Sequence, residues 1–576
     1  MVRHSRIVHR APLQGSQNVR DLGGNRPVRS GLLLAAVLVT VSLMSAACGG
    51  SSSSTSSTDN SVAASTAKGT NITVPDPGSP QSGGTLRVGL NAETGGWSPS
   101  QSQWAGSAYM VGAAIFDFLA EYDSNGKAQP YLAESITPNA TFTEWSVKMR
   151  PNVTFQNGEK CDAAALKLNF DSQQKSLLTG PVFAVVSNVA IVDDLTVKLT
   201  MKQPWSTFID QMTTQPGAIA APAMINAPDG GVRSPIGTGP FSFVSWIPDN
   251  KLETKKNPNY WRSGYPLLDA VEFQVVPDLS SRASALQSGT VDMLEMGDVT
   301  QIKKLLDLGE AGKIQIYTNQ GIQQSETFTA LNMAAPPFDD PLARQILAYG
   351  LDRDTLSSTI YQGLFPPALG PFSEDEPGYT KTAMPTYDQA KARELEKQYE
   401  QKYGKPLEFT YLITPQPEIV AIGEVGQASL AEIGVKMTLK PEDQATLVSD
   451  VILGNYQGTG FILFGSTKLD VNYVFISANT VKPVGQLSLN FTRNSDPILE
   501  QALQDARKTD DPTEQAAQYK IVQDQMAKDL NFIFLVRNLD VVAYSNQTHG
   551  LVGQTLPDGS PMQNSVLPTL DQAWKN

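Results

Sequence analysis

The sequence predicts an α/β fold divided between at least two lobes, on three observations. Helical and strand patterns alternate between Asp388 and Leu439. Short alternating apolar stretches mark strands near both ends of the folded part. The chain from Gly83 to Asn576 is too long for one hydrophobic core.

The elements follow in order. Six arginines (Arg3, Arg6, Arg10, Arg20, Arg26, Arg29) precede an uncharged run from Gly31 to Ala47. A basic flank, a short apolar core and small residues before the cut read as a secretory signal over 1–47. The box Met44-Ser45-Ala46-Ala47-Cys48 resembles a bacterial lipoprotein signal, with Ser45 where leucine is commoner. That resemblance implies that Cys48 is acylated and heads the mature protein. The remainder is then extracytoplasmic and lipid-anchored to the outer face of the cell membrane. An uncleaved anchor is the other reading, because the run sits at the short end of the roughly 17–25 residues that span a bilayer.

Residues 48–82 are rich in Ser, Thr, Gly and Pro and read as a flexible tether. Leu86, Val88 and Leu90 alternate with Arg87 and Gly89, as a strand does. Trp145 to Met149 and Val197 to Met201 repeat that period. Asp388 is placed to cap a helix that ends before Gly404, and Leu407 to Leu412 follows as a strand. Glu418 to Ile433 reads as a helix stopped by Gly434, then Val435 to Leu439 as a strand. Asp511 and Pro512 open a helix that runs to about Asp529. Phe532 to Val536 reads as a buried strand.

Composition removes several classes of function. The net charge is −13 although the leader is basic, so the exported part repels nucleic acid phosphates and anionic headgroups. With Cys48 acylated, Cys161 has no partner and reads as a small packed residue. Of three histidines, His4 and His9 precede the cut. His549 alone remains, as an ordinary surface residue, so a multi-histidine zinc site is excluded. Gly237-Thr238-Gly239-Pro240-Phe241 fails as a dinucleotide fingerprint, because Pro240 obstructs a helix start. Ser172-Gln173-Gln174-Lys175 matches a penicillin-binding pattern without its companion elements. No catalytic residue, metal or cofactor is expected, and the chain reads as a binding protein rather than an enzyme. The alternatives are an exported carboxylate-dependent hydrolase and a ligand sensor on the same scaffold.

A series of segments, in order, resembles the extracellular solute-binding proteins of family 5, which serve peptide and nickel ABC importers. They are Gly83 to Gly89, Phe116 to Leu119, Pro130 to Ser135, Val147 to Arg150 and Val153 to Gly158. Then come Gly237 to Phe241, Asn257 to Trp261, Ser288 to Asp292, Pro337 to Gln345, Leu351 to Arg353 and Leu430 to Val435. These read as structural segments: Gly237 and Gly239 suit tight turns, and Arg344 could pair with a carboxylate at a helix start. The resemblance implies a two-lobed periplasmic-binding-protein-like fold, type II, in the large peptide-binding variant, with ligand in the cleft between lobes. The first lobe would take 83–330 and 531–576, and the second 331–530. Thr329 to Met333 and Phe532 to Val536 are the candidate crossings. The implied partners are an ABC permease and ATPase, with the binding protein a monomer.

Family members that bind short peptides hold the α-ammonium with an Asp in an aromatic-led loop. The matching stretch runs from Phe464 and Gly465 through Asp470 to Phe475. The anchoring position falls on Thr467, which has no charge, with Lys468 beside it. A buried ammonium needs a negative partner, so the ligand is expected to lack a free α-amino group at this spot. A register shifted by three residues would instead make Asp470 the anchor. Trp97, Trp104 and Tyr109 follow the first strand and either stack on ligand or fill the core. Tyr361 and Phe365 are weaker candidates.

Overall fold

The computed structural model describes residues 71–72 and 79–576, apart from 105, 107, 321–323, 375, 377, 378, 382, 383 and 467. The signal over 1–47, Cys48 and most of the 48–82 tether lie outside the described residues. Within that tether Asn71–Ile72 forms a short strand against Gln315–Thr318, where composition predicts coil throughout. Backbone groups alone make such a pairing, so a tract poor in apolar side chains can supply it.

The largest sheet has eight strands. Their order is Asn71–Ile72, Gln315–Thr318, Val541–Tyr544, Met293–Met296, Thr85–Leu90, Ala270–Val275, Lys251–Lys256 and Phe241–Ile247. Thr85–Leu90 is central and parallel to both neighbours. Its Leu86, Val88 and Leu90 are buried, which explains the alternation seen in sequence. The two faces of this sheet feed two cores. Ile316, Val541 and Ala543 enter one, and Tyr317, Val542 and Tyr544 the other. That division is what a period-two strand covered on both faces requires.

Four antiparallel strands, Ala133–Pro138, Glu144–Met149, Thr196–Met201 and Val186–Ile191, form a second sheet. The helix Ala163–Lys175 packs on its last two strands. A third sheet has the order Lys436–Pro441, Glu408–Ile413, Gly458–Phe464, Ser325–Leu331 and Phe532–Arg537. The β-α-β pattern seen in sequence builds its parallel part. The helix Gln389–Tyr403 precedes Glu408–Ile413, and the helix Pro417–Ala431 joins that strand to Lys436–Pro441. Asp388 caps the first helix by accepting from Lys391 N, and Gly404 ends it at φ 72°. Asp511 accepts from Thr513 N and Glu514 N to start Pro512–Asp529. An aspartate at the N-cap satisfies amides that the helix itself cannot.

Both candidate crossings lie inside the third sheet rather than between sheets. Ser325–Leu331 and Phe532–Arg537 pair with one another, Thr329 opposite Ile533 and Ala330 opposite Phe532. These segments are buried almost throughout, so they behave as core strands. The chain leaves the large sheet after Thr318 and enters the third sheet at Ser325, and it returns from Arg537 to Val541.

Gly237 and Gly239 serve close approach rather than a left-handed turn. A Cβ at Gly237 would lie 2.2 Å from the Ile115 carbonyl oxygen, and one at Gly239 2.6 Å from the Ile115 carbonyl carbon. The Gln156 amide ties this approach together, donating to the carbonyls of Ile115, Gly239 and Phe241. Arg344 donates to the carbonyls of Asp529 and Phe338 instead of to a carboxylate.

Candidate functional site

The strand Gly458–Phe464 runs into Gly465, and a short turn, Leu469–Asn472, follows. This turn brings Asp470 against a loop of the four-stranded region some 260 residues earlier in the chain. Asp470 is 2 % exposed. Its Oδ1 accepts from Arg507 Nε at 2.6 Å. Its Oδ2 accepts from Trp205 Nε1 at 3.0 Å and from the Thr207 hydroxyl. Arg507 sits at the C-terminal end of the helix Pro497–Ala506. Its guanidinium lies 3.5 Å from the Tyr473 ring centre and 5.2 Å from that of Trp205.

The surrounding backbone completes the seam. Ser206 N donates to the Arg507 carbonyl at 2.9 Å. Gln515 Nε2 donates to Ser206 Oγ, and Gln515 Oε1 accepts from Lys468 Nζ at 2.8 Å. Burial pushes the Asp210 carboxyl up to about 6, while nearby Lys468 pulls it down. The buried Asp470–Arg507 pair therefore has its charges matched and both Asp470 oxygens hydrogen-bonded, a condition under which a buried ion pair is tolerated.

This geometry assigns Asp470 to the contact between the four-stranded region and the third-sheet region. Both carboxylate oxygens are engaged by protein donors, so Asp470 does not present a free carboxylate to a ligand ammonium. Thr467 lies outside the described residues. The backbone of Phe464 pairs with Ser325, and Gly465 adopts φ 60°. Lys468 is held in the seam by Gln515.

The aromatic candidates divide. Trp97 is fully buried and packs edge-on to Trp246, centroids 5.6 Å apart. Trp104 is buried between Phe116 and Tyr109, at 5.6 Å and 5.9 Å. Both tryptophans are core residues with no open face for stacking. Tyr109 is half-buried, and its hydroxyl pKa is raised by burial. Tyr361 and Phe365 stack on each other at 4.6 Å, both buried. His549 is buried against Trp574, centroids 4.3 Å apart, instead of lying on the surface. Cys161 is buried, and burial raises its thiol pKa.

Sequence reasoning missed Trp205, Thr207 and Arg507. No local pattern marks them, because their partner is distant in the chain. Among the described residues no cluster of three or more His, Cys, Asp or Glu could hold a metal ion. Among them, too, no helix is long and apolar enough to cross a membrane.

Comparison with known proteins gives a consistent result. The family model for bacterial extracellular solute-binding proteins, family 5 middle, matches residues 127–479. The glutathione-binding protein GsiB of Pectobacterium atrosepticum is 29% identical over 463 residues, covering 78% of this chain and 87% of GsiB. The structure of the binding protein AgaA with agropinic acid superposes with a TM-score of 0.74 at 24% identity. It covers 86% of this chain and 99% of AgaA. The periplasmic binding protein DppA from Helicobacter pylori, in complex with the peptide STSA, has a TM-score of 0.74 at 21% identity. It covers 86% of this chain and 98% of DppA.

Proposed function

The chain belongs to the bacterial extracellular solute-binding proteins of family 5, and on that premise we propose that it captures a small peptide or a similar polar solute for an ABC importer. The solute is held between two lobes. The first runs from 83 to 318 and returns at 541, and the second spans 325–537. The bound form is handed to a membrane permease driven by its ATPase, with no chemical turnover. The protein works as a monomer tethered through an acylated Cys48 at the outer face of the cell membrane.

The observation that carries this reading is the Asp470 seam. It joins the first lobe's Trp205 and Thr207 to the second lobe's Asp470 and Arg507 through side chains, with Ser206 adding bonds to the Ala506 and Arg507 carbonyls. Such a contact can form and break as a unit when lobes hinge about two short passages. Solute specificity follows from the recognition loop. With no acid at Thr467 and Asp470 engaged elsewhere, this loop does not hold an α-ammonium. The GsiB relatives are named for glutathione, a peptide, which makes glutathione the first solute to try.

The test is a thermal-shift and calorimetric screen of the full chain. Its probes are glutathione, free and N-acetylated tripeptides, and neutral oligosaccharides. A true solute at 100 times its Kd adds about 2.7 kcal/mol of stability. Recovery of the solute chemically unchanged, with a more compact scattering profile, is the expected outcome. Consumption of the solute would make the chain a hydrolase and overturn the reading.

A further inference from the structure

The two passages between the lobes meet at a second cluster, built very differently from the Asp470 seam. Asn319 follows the strand Gln315–Thr318, and Asp540 precedes Val541–Tyr544. They hold each other reciprocally. Asn319 N donates to the Asp540 carbonyl at 3.2 Å. Asp540 N donates to Asn319 Oδ1 at 2.9 Å, and Asn319 Nδ2 donates to Asp540 Oδ2 at 3.2 Å. This leaves Asp540 Oδ1 turned toward the end of the adjacent strand, Met293–Met296.

Glu295 stands on that strand. It is 8 % exposed, and its Oε2 has no hydrogen-bond partner. Two residues on is Gly297, half-buried. Its backbone is outside the left-handed region, so the conformation does not call for glycine. The point a Cβ would occupy lies 3.2 Å from Asp540 Oδ1 and 4.0 Å from Glu295 Oε1. Apart from Gly297's own chain neighbours, no other heavy atom of the described residues comes within 4 Å of it. Two carboxylates thus converge on a small opening that only a missing side chain provides.

The charges around this opening do not balance. Asp298 caps the next helix, Val299–Glu310, through Gln301 N. Glu418 of the second lobe is near enough to Asp298 for that charge, after burial, to help push its carboxyl up to about 7. Among the described residues, Arg282 is a cation that interacts with these acids. It is buried, and Glu295 and Asp298 offset part of the desolvation that lowers its pKa. Glu295 and Asp540 are raised to about 7 and about 6, chiefly by burial, Glu295 also by Asp540's charge.

We propose that the opening above Gly297, between Glu295 and Asp540, is the cleft's cation subsite and takes a primary ammonium group of the solute. A primary ammonium has three donors and a full charge, which suits two converging carboxylates with an unused oxygen. The position supplies from the hinge side the negative partner that the Thr467 loop lacks. The ligand class is accordingly an amine-bearing peptide or polar solute whose ammonium enters toward the hinge. This inference rests on the solute-binding reading of the same cleft.

The experiment uses the full chain, with glutathione and triglycine as probes, each beside its N-acetylated form. Binding is followed by calorimetry in wild type, Glu295→Gln, Asp540→Asn and Gly297→Ala. Exposed Glu408→Gln serves as the charge control. The subsite predicts that acetylation weakens a bound probe at least tenfold, and that each of the three variants does the same while the control does not. Equal binding of free and acetylated probes, or unaltered affinity in the variants, overturns the subsite and leaves solute binding standing. Failure of both amines while an oligosaccharide binds also overturns it. A second readout needs no ligand. An open subsite keeps like charges together at a cost, so Glu295→Gln raises the ligand-free melting temperature at pH 8. If the pair is a structural hydrogen bond, the same variant lowers it, and the proposal falls.

Discussion

The Asp470 seam and the Glu295–Asp540 opening both lie where the two lobes meet, and both are built on buried carboxylates. In the seam one acid meets one guanidinium, an indole and a hydroxyl, and its charge and hydrogen bonds are matched by protein. At the hinge, two acids share a small space with one amide and a distant guanidinium, and an oxygen is left without a donor. A site whose demands are met by the chain itself serves the chain's own closure. A site with unmet demand has capacity for something from outside. The same residue type is structural in one place and ligand-directed in the other because of its neighbours.

The sharpest way to break this comparison is at the seam. Asp470→Ala leaves Arg507 buried and unpaired, with an expected cost of about 3–5 kcal/mol. Urea unfolding of the full chain measures it, and small-angle scattering reports whether the lobes separate. A change within the error of the unfolding curve would mean that the seam is not closed in solution.

The hinge gives the next effect, with the opposite sign. A carboxyl whose pKa is raised in the folded state holds its proton there after the unfolded chain has lost it. Its contribution is therefore best below the ordinary value and falls as pH rises to the folded value. For Glu295 that window runs from 4.5 to about 7. Wild type minus Glu295→Gln stability should fall by about 3 kcal/mol across it, as read from unfolding curves at each pH. A flat difference would show that the pair is not electrostatically frustrated.

Trp205→Phe keeps an aromatic ring, removes the Nε1 donor to Asp470 and leaves a gap at a fully buried position, while the Thr207 hydroxyl remains. A loss of about 1.5 kcal/mol is expected in the same unfolding assay. No loss would place the indole outside the ion-pair network. Lys468→Met removes the bond to Gln515 at the half-buried edge of the seam. Its effect should be smallest, about 0.5 kcal/mol, and should vanish in high salt if it arises from the field at Asp210.

Local rules made much of the fold legible. Asp388, Gly404, Asp511 and Pro512 mark helix ends because capping depends on a few adjacent residues. Leu86, Val88 and Leu90 betray a strand because side chains alternate at period two. The aromatic cluster after the first strand was less legible. Trp97 and Trp104 have the chemistry of a stacking platform and the burial of core residues, and sequence carries only the first. The segments at Thr329 and Phe532 share that ambiguity, since a crossing and a core strand can have the same composition.

Order along the chain and local capping are properties of neighbouring residues and were open to reading without coordinates. The roles of Asp470, Glu295 and Asp540 were not. Asp470 meets Trp205 from 265 residues away. Glu295 and Asp540 come together because Met293–Met296 pairs with Val541–Tyr544. Whether a carboxylate is satisfied depends on which donors the fold brings within hydrogen-bonding distance, and that is fixed by sheet order and lobe packing, not by the residues beside it.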